Sequence, residues 1–305
     1  MNRKQRRAAL SNLQEVAKGH RRTLALRPDD AQAHNELACV LLQQGFLREA
    51  AAEFARAVTL MPELLEQYSS LVATLLNVNP ALRAGLARVA SAWPRELPAD
   101  DVLGPEGFAA ISGDPFLRCM LESAPVRDLN LERYLTSIRR IMLDIASSDA
   151  IDACELDRSL LEIGCALAKQ CFINEYVFAC GPQEEEKAAR LKDKLIDALA
   201  SGAPIAPLLP SVTAAYCPLF SVAGSQSLLE RSWPAPLSSL LAQQITEPQE
   251  ERRIGATIPR LTEIENDVSV RVRQQYEENP YPRWVAPASN RGPSRVSEYL
   301  RTLFP

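Results

Sequence analysis

Histidine is almost missing from this chain, with only His20 and His34 among 305 residues, so an imidazole-centred catalytic group is not expected. Glycine is sparse in a telling way. No two of the twelve glycines are spaced G-x-G and no G-K-[ST] occurs, so the Gly-rich turn that lets backbone N–H groups approach a phosphate or nucleotide is absent. The seven cysteines form no CxxC pair. They read as small buried hydrophobes in a reducing cytoplasm, neither a disulfide framework nor a zinc site. No apolar run approaches the roughly 20 residues that span a bilayer, and the basic opening MNRKQRRAAL leads into no signal-peptide core. The formal net charge of −4 speaks against general nucleic-acid binding, which depends on phosphate neutralisation. No catalytic, cofactor-binding or metal-ligating residue is assigned, and neither nucleic acid nor membrane is expected as a partner.

What remains is the balance of a globular protein: 47% hydrophobic and 24% charged residues, with a mean hydropathy of −0.13 and length enough for about two cores. Apolar positions recur every three and four residues almost throughout, and the fold class read from this is all-α. Residues 1–27 form a basic arm, with Arg3, Lys4, Arg6, Arg7, Lys18, Arg21, Arg22 and Arg27 against one acid, Glu15. Such a segment suits anionic lipid or RNA, or is a solvated helical arm whose Leu10, Leu13 and Val16 rest on the next helix.

Residues 28–97 make up the next region. Pro28 precedes a helix carrying Leu37, Ala38, Leu41 and Leu42; a Gln44-Gly45 turn leads to a second with Ala50, Phe54 and Ala57, ended by Pro62. Small residues let two helices cross closely while large ones fill the gap. With Ala31 as first position this stretch resembles a tetratricopeptide repeat, whose period matches the 34 residues from Pro28 to Pro62. His34 stands where the repeat usually has an aromatic. Residues 65–97 keep Tyr68, Leu71, Leu75 and Ala84 but lose the later signature. If the groove positions of such repeats carry over, Gln32, Asn35, Cys39, Leu42 and Gln43 face a protein or peptide ligand. The set is neutral and lacks lysine, so it fits an apolar or amide-rich peptide, or the chain's own next helix, rather than an acidic tail.

Prolines, glycines and acids cluster over residues 98–115, which reads as a linker. A helical domain is expected over residues 116–260: an amphipathic helix at 129–145, a central buried helix over 156–180, and another starting at Pro182 with Glu184, Glu185 and Glu186 near its positive end. Residues 203–225, with four prolines, read as irregular. Within the apolar 156–180 run, Asn174, Glu175 and Tyr176 stand out: Glu175 is either a tuned buried carboxylate or one that reaches a partner at the core's edge.

The last region, 261–305, combines a helix with a proline-aromatic arm. Helical spacing holds through Val268, Val272 and Tyr276 to Asn279, where Pro280 and Pro282 force an extended path. Tyr276, Tyr281, Arg283 and Trp284 then line a stiff strip that suits a lid or docking arm, or pin the tail to its own core. The string QQYEENPYPRW, preceded by VSVRVR, resembles the pre-catalytic segment of bacterial tetratricopeptide-containing S-adenosylmethionine-dependent methyltransferases. DPFLRCMLESAPVRD and CALAKQCFINEYVFA are similar to the helical region those proteins carry before their catalytic domain. The resemblance covers essentially the whole chain. It implies a regulatory, lid-bearing N-terminal portion that is not catalytic alone, with Tyr276, Asn279, Pro280, Tyr281, Pro282, Arg283 and Trp284 as lid or docking residues. The cofactor of the implied parent enzyme is S-adenosylmethionine, and the implied partner is a following methyltransferase domain. In that family a strand and Gly-rich loop follow the equivalent of YLRTLFP; here Pro305 is the last residue. The other reading is a free-standing interaction scaffold that uses the repeat groove and the aromatic strip.

Overall fold

The computed structural model describes residues 3–61, 64, 76–148, 157–259 and 266–278. All regular structure in them is helical. Helix α1 (Arg3–Leu26) is followed by α2 (Ala31–Gln44) and α3 (Leu47–Leu60). Asp30 caps α2 by accepting from the Ala33 amide at 3.0 Å. Gly45, at φ +84°, ends it in the left-handed conformation that glycine adopts without a Cβ penalty. The resulting α2–α3 hairpin buries Leu37, Ala38, Leu41, Ala50, Phe54 and Ala57, the residues whose size alternation predicts the crossing. His34 ties the hairpin together, its Nδ1 2.6 Å from the Glu53 carboxylate and its Nε2 2.9 Å from the Pro28 carbonyl.

The two faces of α2 have different neighbours. Ala17 of α1 packs with Leu37, Val40 and Leu41 in a small cluster, with Leu13 and Leu24 at its edge. Val16 stays exposed. The basic arm is therefore a helix lying on the hairpin, as the resting-arm reading has it for Leu13. On the other side Ala38, Phe54 and Val58 join a core that runs to Ile245. Short helices line its path: α4 (Pro80–Ala92), α5 (Ala99–Leu103), α6 (Ala109–Ser112) and α7 (Pro115–Ser123). Residues 98–115, read as a linker from their prolines and glycines, hold α5 and α6 and bury Val102, Leu103, Phe108 and Ile111. Their prolines and glycines start and stop helices instead of breaking the chain into separate bodies.

The larger helices are α8 (Leu129–Ala146), α9 (Arg158–Ile173) and α10 (Pro182–Ser201). Gly85 lets α4 approach α8: a Cβ there would stand 2.6 Å from the Tyr134 ring and 2.8 Å from the Val102 carbonyl oxygen. The central helix expected over 156–180 ends at Ile173. Glu175 and Tyr176 take φ of +54° and +59°, and the Tyr176 amide returns to the Cys171 carbonyl at 2.8 Å. The apolar pattern runs on past this point because Phe178 still packs into the core, from a non-helical backbone. Residues 203–225 contain α11 (Leu208–Thr213) and a 3₁₀ turn, Leu219–Ser221.

From Ala235 to Gly255 the chain forms α12 (Ala235–Leu241), a π-helical turn (Ala242–Thr246) and α13 (Glu247–Gly255). Pro248 accounts for the π turn, because proline has no N–H for the carbonyl of residue 244 and its ring crowds it. Helix α14 (Asp267–Glu278) is capped by Asn266, whose Oδ1 accepts from the Val268 amide at 2.9 Å. Among the described residues no helix is long and apolar enough to cross a membrane.

Candidate functional site

The residues proposed from sequence fall in three places. Of the groove set on α2, Asn35 is buried, Cys39 and Leu42 are half-buried against the core, and Gln32 and Gln43 are exposed. Gln32 donates to Glu36 on its own helix at 2.9 Å. The five do not share one open surface. Of the lid set, Tyr276 lies on α14, while Asn279, Pro280, Tyr281, Pro282, Arg283 and Trp284 lie outside the described residues. Tyr276 is 68% exposed and continues a stripe with Val268 (67%) and Val272. These three recur every fourth residue and so share one face of α14. Glu175 is half-buried at the end of α9.

Two constellations escaped the sequence reading. The first is a buried ionic cluster around Arg139 of α8. Its side chain is 2% exposed and pairs at 2.9 Å with Glu184 of α10, itself only 10% exposed. The same guanidinium donates to the Ala179 carbonyl at 2.7 Å and lies 4.6 Å over the Tyr216 ring. The Tyr216 hydroxyl donates to the same Glu184 oxygen at 2.7 Å. Burial raises the Tyr216 phenol well above its ordinary range. Every charge in this cluster is met within the fold, which gives it the form of a lock between α8, α10 and the segment after α11.

The second is a cleft of about 900 Å³ where α3, α7, α9 and the start of α12 meet. Lys169 lines it from α9, its Nζ 3.2 Å from Glu122 of α7 and 2.9 Å from the Ser239 hydroxyl of α12. Arg56, Arg118 and Arg158 stand around it, and its apolar lining includes Leu161, Pro115, Pro234 and Pro236. Lysine inside an apolar helix was the available signal, since a buried ammonium needs a partner from another element. Because the partners come from separate helices, the sequence does not bring them together.

Comparison with protein-family models, curated proteins and solved structures finds no match to this chain. Its chemistry therefore rests on its own residues. Among the described residues no strand leads into a helix, and the glycines at positive φ (45, 104, 107, 202 and 224) end or join helices. Among the described residues no group of three or more His, Cys, Asp or Glu side chains is placed to hold a metal.

The described cysteines are free thiols, and burial makes the deepest poor nucleophiles. Desolvation pushes Cys165 and Cys171 up to about 12 from an ordinary 9.0. Iodoacetamide at pH 8 is expected to leave both unlabelled in the folded chain and to label both in urea, as peptide mass mapping will show. Between pH 9 and 12 the unfolded thiols lose protons that the folded ones keep. Stability should then fall as pH rises through that window, by on the order of 1 kcal/mol per pH unit for each thiol, measurable as a falling urea midpoint.

Proposed function

We propose that this chain is the regulatory, lid-bearing and non-catalytic portion of a tetratricopeptide-type S-adenosylmethionine-dependent methyltransferase, working in the cytoplasm with a methyltransferase domain encoded downstream. The observation that carries this is α14. Its apolar stripe of Val268, Val272 and Tyr276 stays in solvent, and it leads directly into the NPYPRW string that resembles the family's pre-catalytic segment. An amphipathic helix displayed in this way gains stability when a further apolar surface covers it. The α2–α3 hairpin, packed through Leu37, Phe54 and Ala57, and the helical core supply the base for such an arm. In this reading Tyr281, Arg283 and Trp284 cover the pocket of the following domain, and the helical body contributes no chemical step.

The test is to extend the chain with the downstream coding sequence and follow amide hydrogen exchange. The α14 amides should gain at least about tenfold protection in the extended protein, and Val272→Asp should remove that gain. Downstream DNA that encodes no strand followed by a Gly-rich loop, or an extended protein whose α14 exchanges as before, contradicts the proposal. The second reading is a scaffold that binds a separate protein. It draws on the same stripe, and predicts a partner captured by the unextended chain and lost with Val272→Asp.

A further inference from the structure

We infer that the cleft between α3, α7, α9 and α12 is a binding site for an amphipathic organic anion, a molecule with an apolar body and one carboxylate or phosphate head. The inference is independent of the methyltransferase reading. Charge is the first observation. The chain as a whole carries −4, yet the cleft is lined by four cations, Arg56, Arg118, Arg158 and Lys169, against two carboxylates, Glu122 and Glu162. With Asp29, which pairs with Arg56 from outside the lining, the cluster keeps one unmatched positive charge on an acidic protein, and such a local excess concentrates anions where they bind.

The pairing pattern says where the head group goes. Arg56 is held by Asp29 at 2.5 Å and Arg158 by Glu162 at 2.8 Å. Lys169, with a side chain only 11% exposed, is shared between Glu122 and the Ser239 hydroxyl. Arg118 lies one turn before Glu122 on α7, but that carboxylate turns to Lys169. Among the described residues Arg118 has no ion-pair partner, and it is exposed on the rim of the cleft. A guanidinium in that state offers a fork that fits carboxylate or phosphate bidentately. The buried Lys169 and the exposed Ser239 hydroxyl beside it add donors.

The rest of the cleft excludes a bare inorganic ion as the best ligand. Its volume of about 900 Å³ lies in the range of small-molecule pockets, and its wall includes Leu161 and three prolines. Prolines present apolar area with little rotamer freedom to lose, which favours an aliphatic or aromatic body.

The experiment titrates the full chain by calorimetry with decanoate, decyl phosphate, decanol and inorganic phosphate, each below its micelle concentration where one exists. Both amphipathic anions should bind at least about tenfold more tightly than decanol, and than inorganic phosphate; the tighter of the two identifies the head group. Arg118→Glu, a change at an exposed position, should weaken both anions at least about tenfold and leave decanol unchanged. Lys169→Met serves as the second variant and should weaken them similarly, with circular dichroism confirming that each variant is folded. Anions that bind no better than decanol, or a folded Arg118→Glu protein that binds them as before, overturn the assignment.

Discussion

Replacing Arg139 with methionine is expected to lower the unfolding free energy by about 3–5 kcal/mol, among the largest losses any single substitution in this chain should cause. The cost does not come from losing an attraction in water. It comes from leaving Glu184, 10% exposed, without its cation, while the Tyr216 hydroxyl still donates to it and the Ala179 carbonyl loses its donor. The sign can be checked by a second change. Arg139→Met combined with Glu184→Gln removes the stranded charge, so the double variant should recover much of the loss, since a buried ion pair is often no better than neutral groups of similar shape. Urea midpoints of the four proteins in the cycle measure this. A single-variant loss under about 1 kcal/mol would mean that Glu184 reaches water, and that the cluster is not the lock described above.

The second large effect is expected at Gln244. It sits fully buried in the π-helical turn, where its amide nitrogen donates to the Ala168 carbonyl at 3.1 Å and the Ala214 carbonyl at 3.2 Å. Its carbonyl oxygen accepts from the Leu219 amide at 3.1 Å. One side chain thus completes the backbone hydrogen bonding of three segments. Leucine at this position would orphan a buried N–H and weaken two buried carbonyls, at roughly 1–3 kcal/mol for each group left unpaired; a total loss of about 2–5 kcal/mol is expected. The neighbouring Gln243→Leu, at a half-buried position, should cost less than about 1 kcal/mol. Equal losses at the two positions would show that the π turn is not organised around Gln244.

These two residues also show where sequence reading succeeds and where it stops. The α2–α3 hairpin and α8 were legible because each depends on local periodicity: alternating small and large residues in one, an apolar stripe in the other. Helix α10 was legible from Pro182 and the acids that follow it. The end of α9 was not, because Phe178 keeps the apolar pattern going after the backbone has left the helix. The 98–115 stretch misled in the opposite direction, since the residues that break long helices also bound short ones. Arg139 carried a readable sign, lying on the same helix face as Leu135 and Met142. Lys169 carried another, standing inside CALAKQC. In each case the sequence signals that a charge needs a partner but not which distant residue supplies it. The cleft lay beyond reach for the same reason: its cations come from α3, α7 and α9, and their meeting is a property of packing alone.

The role proposed for this helical body is to position and regulate a methyltransferase domain without holding the cofactor itself. Calorimetric titration of S-adenosylmethionine into the chain of residues 1–305, and into the same chain extended by its downstream coding sequence, tests it most directly. The account predicts no binding heat from the first protein and saturable, one-to-one binding by the second. Stoichiometric binding by the 305-residue chain, or methyl transfer from it to any acceptor, would contradict it.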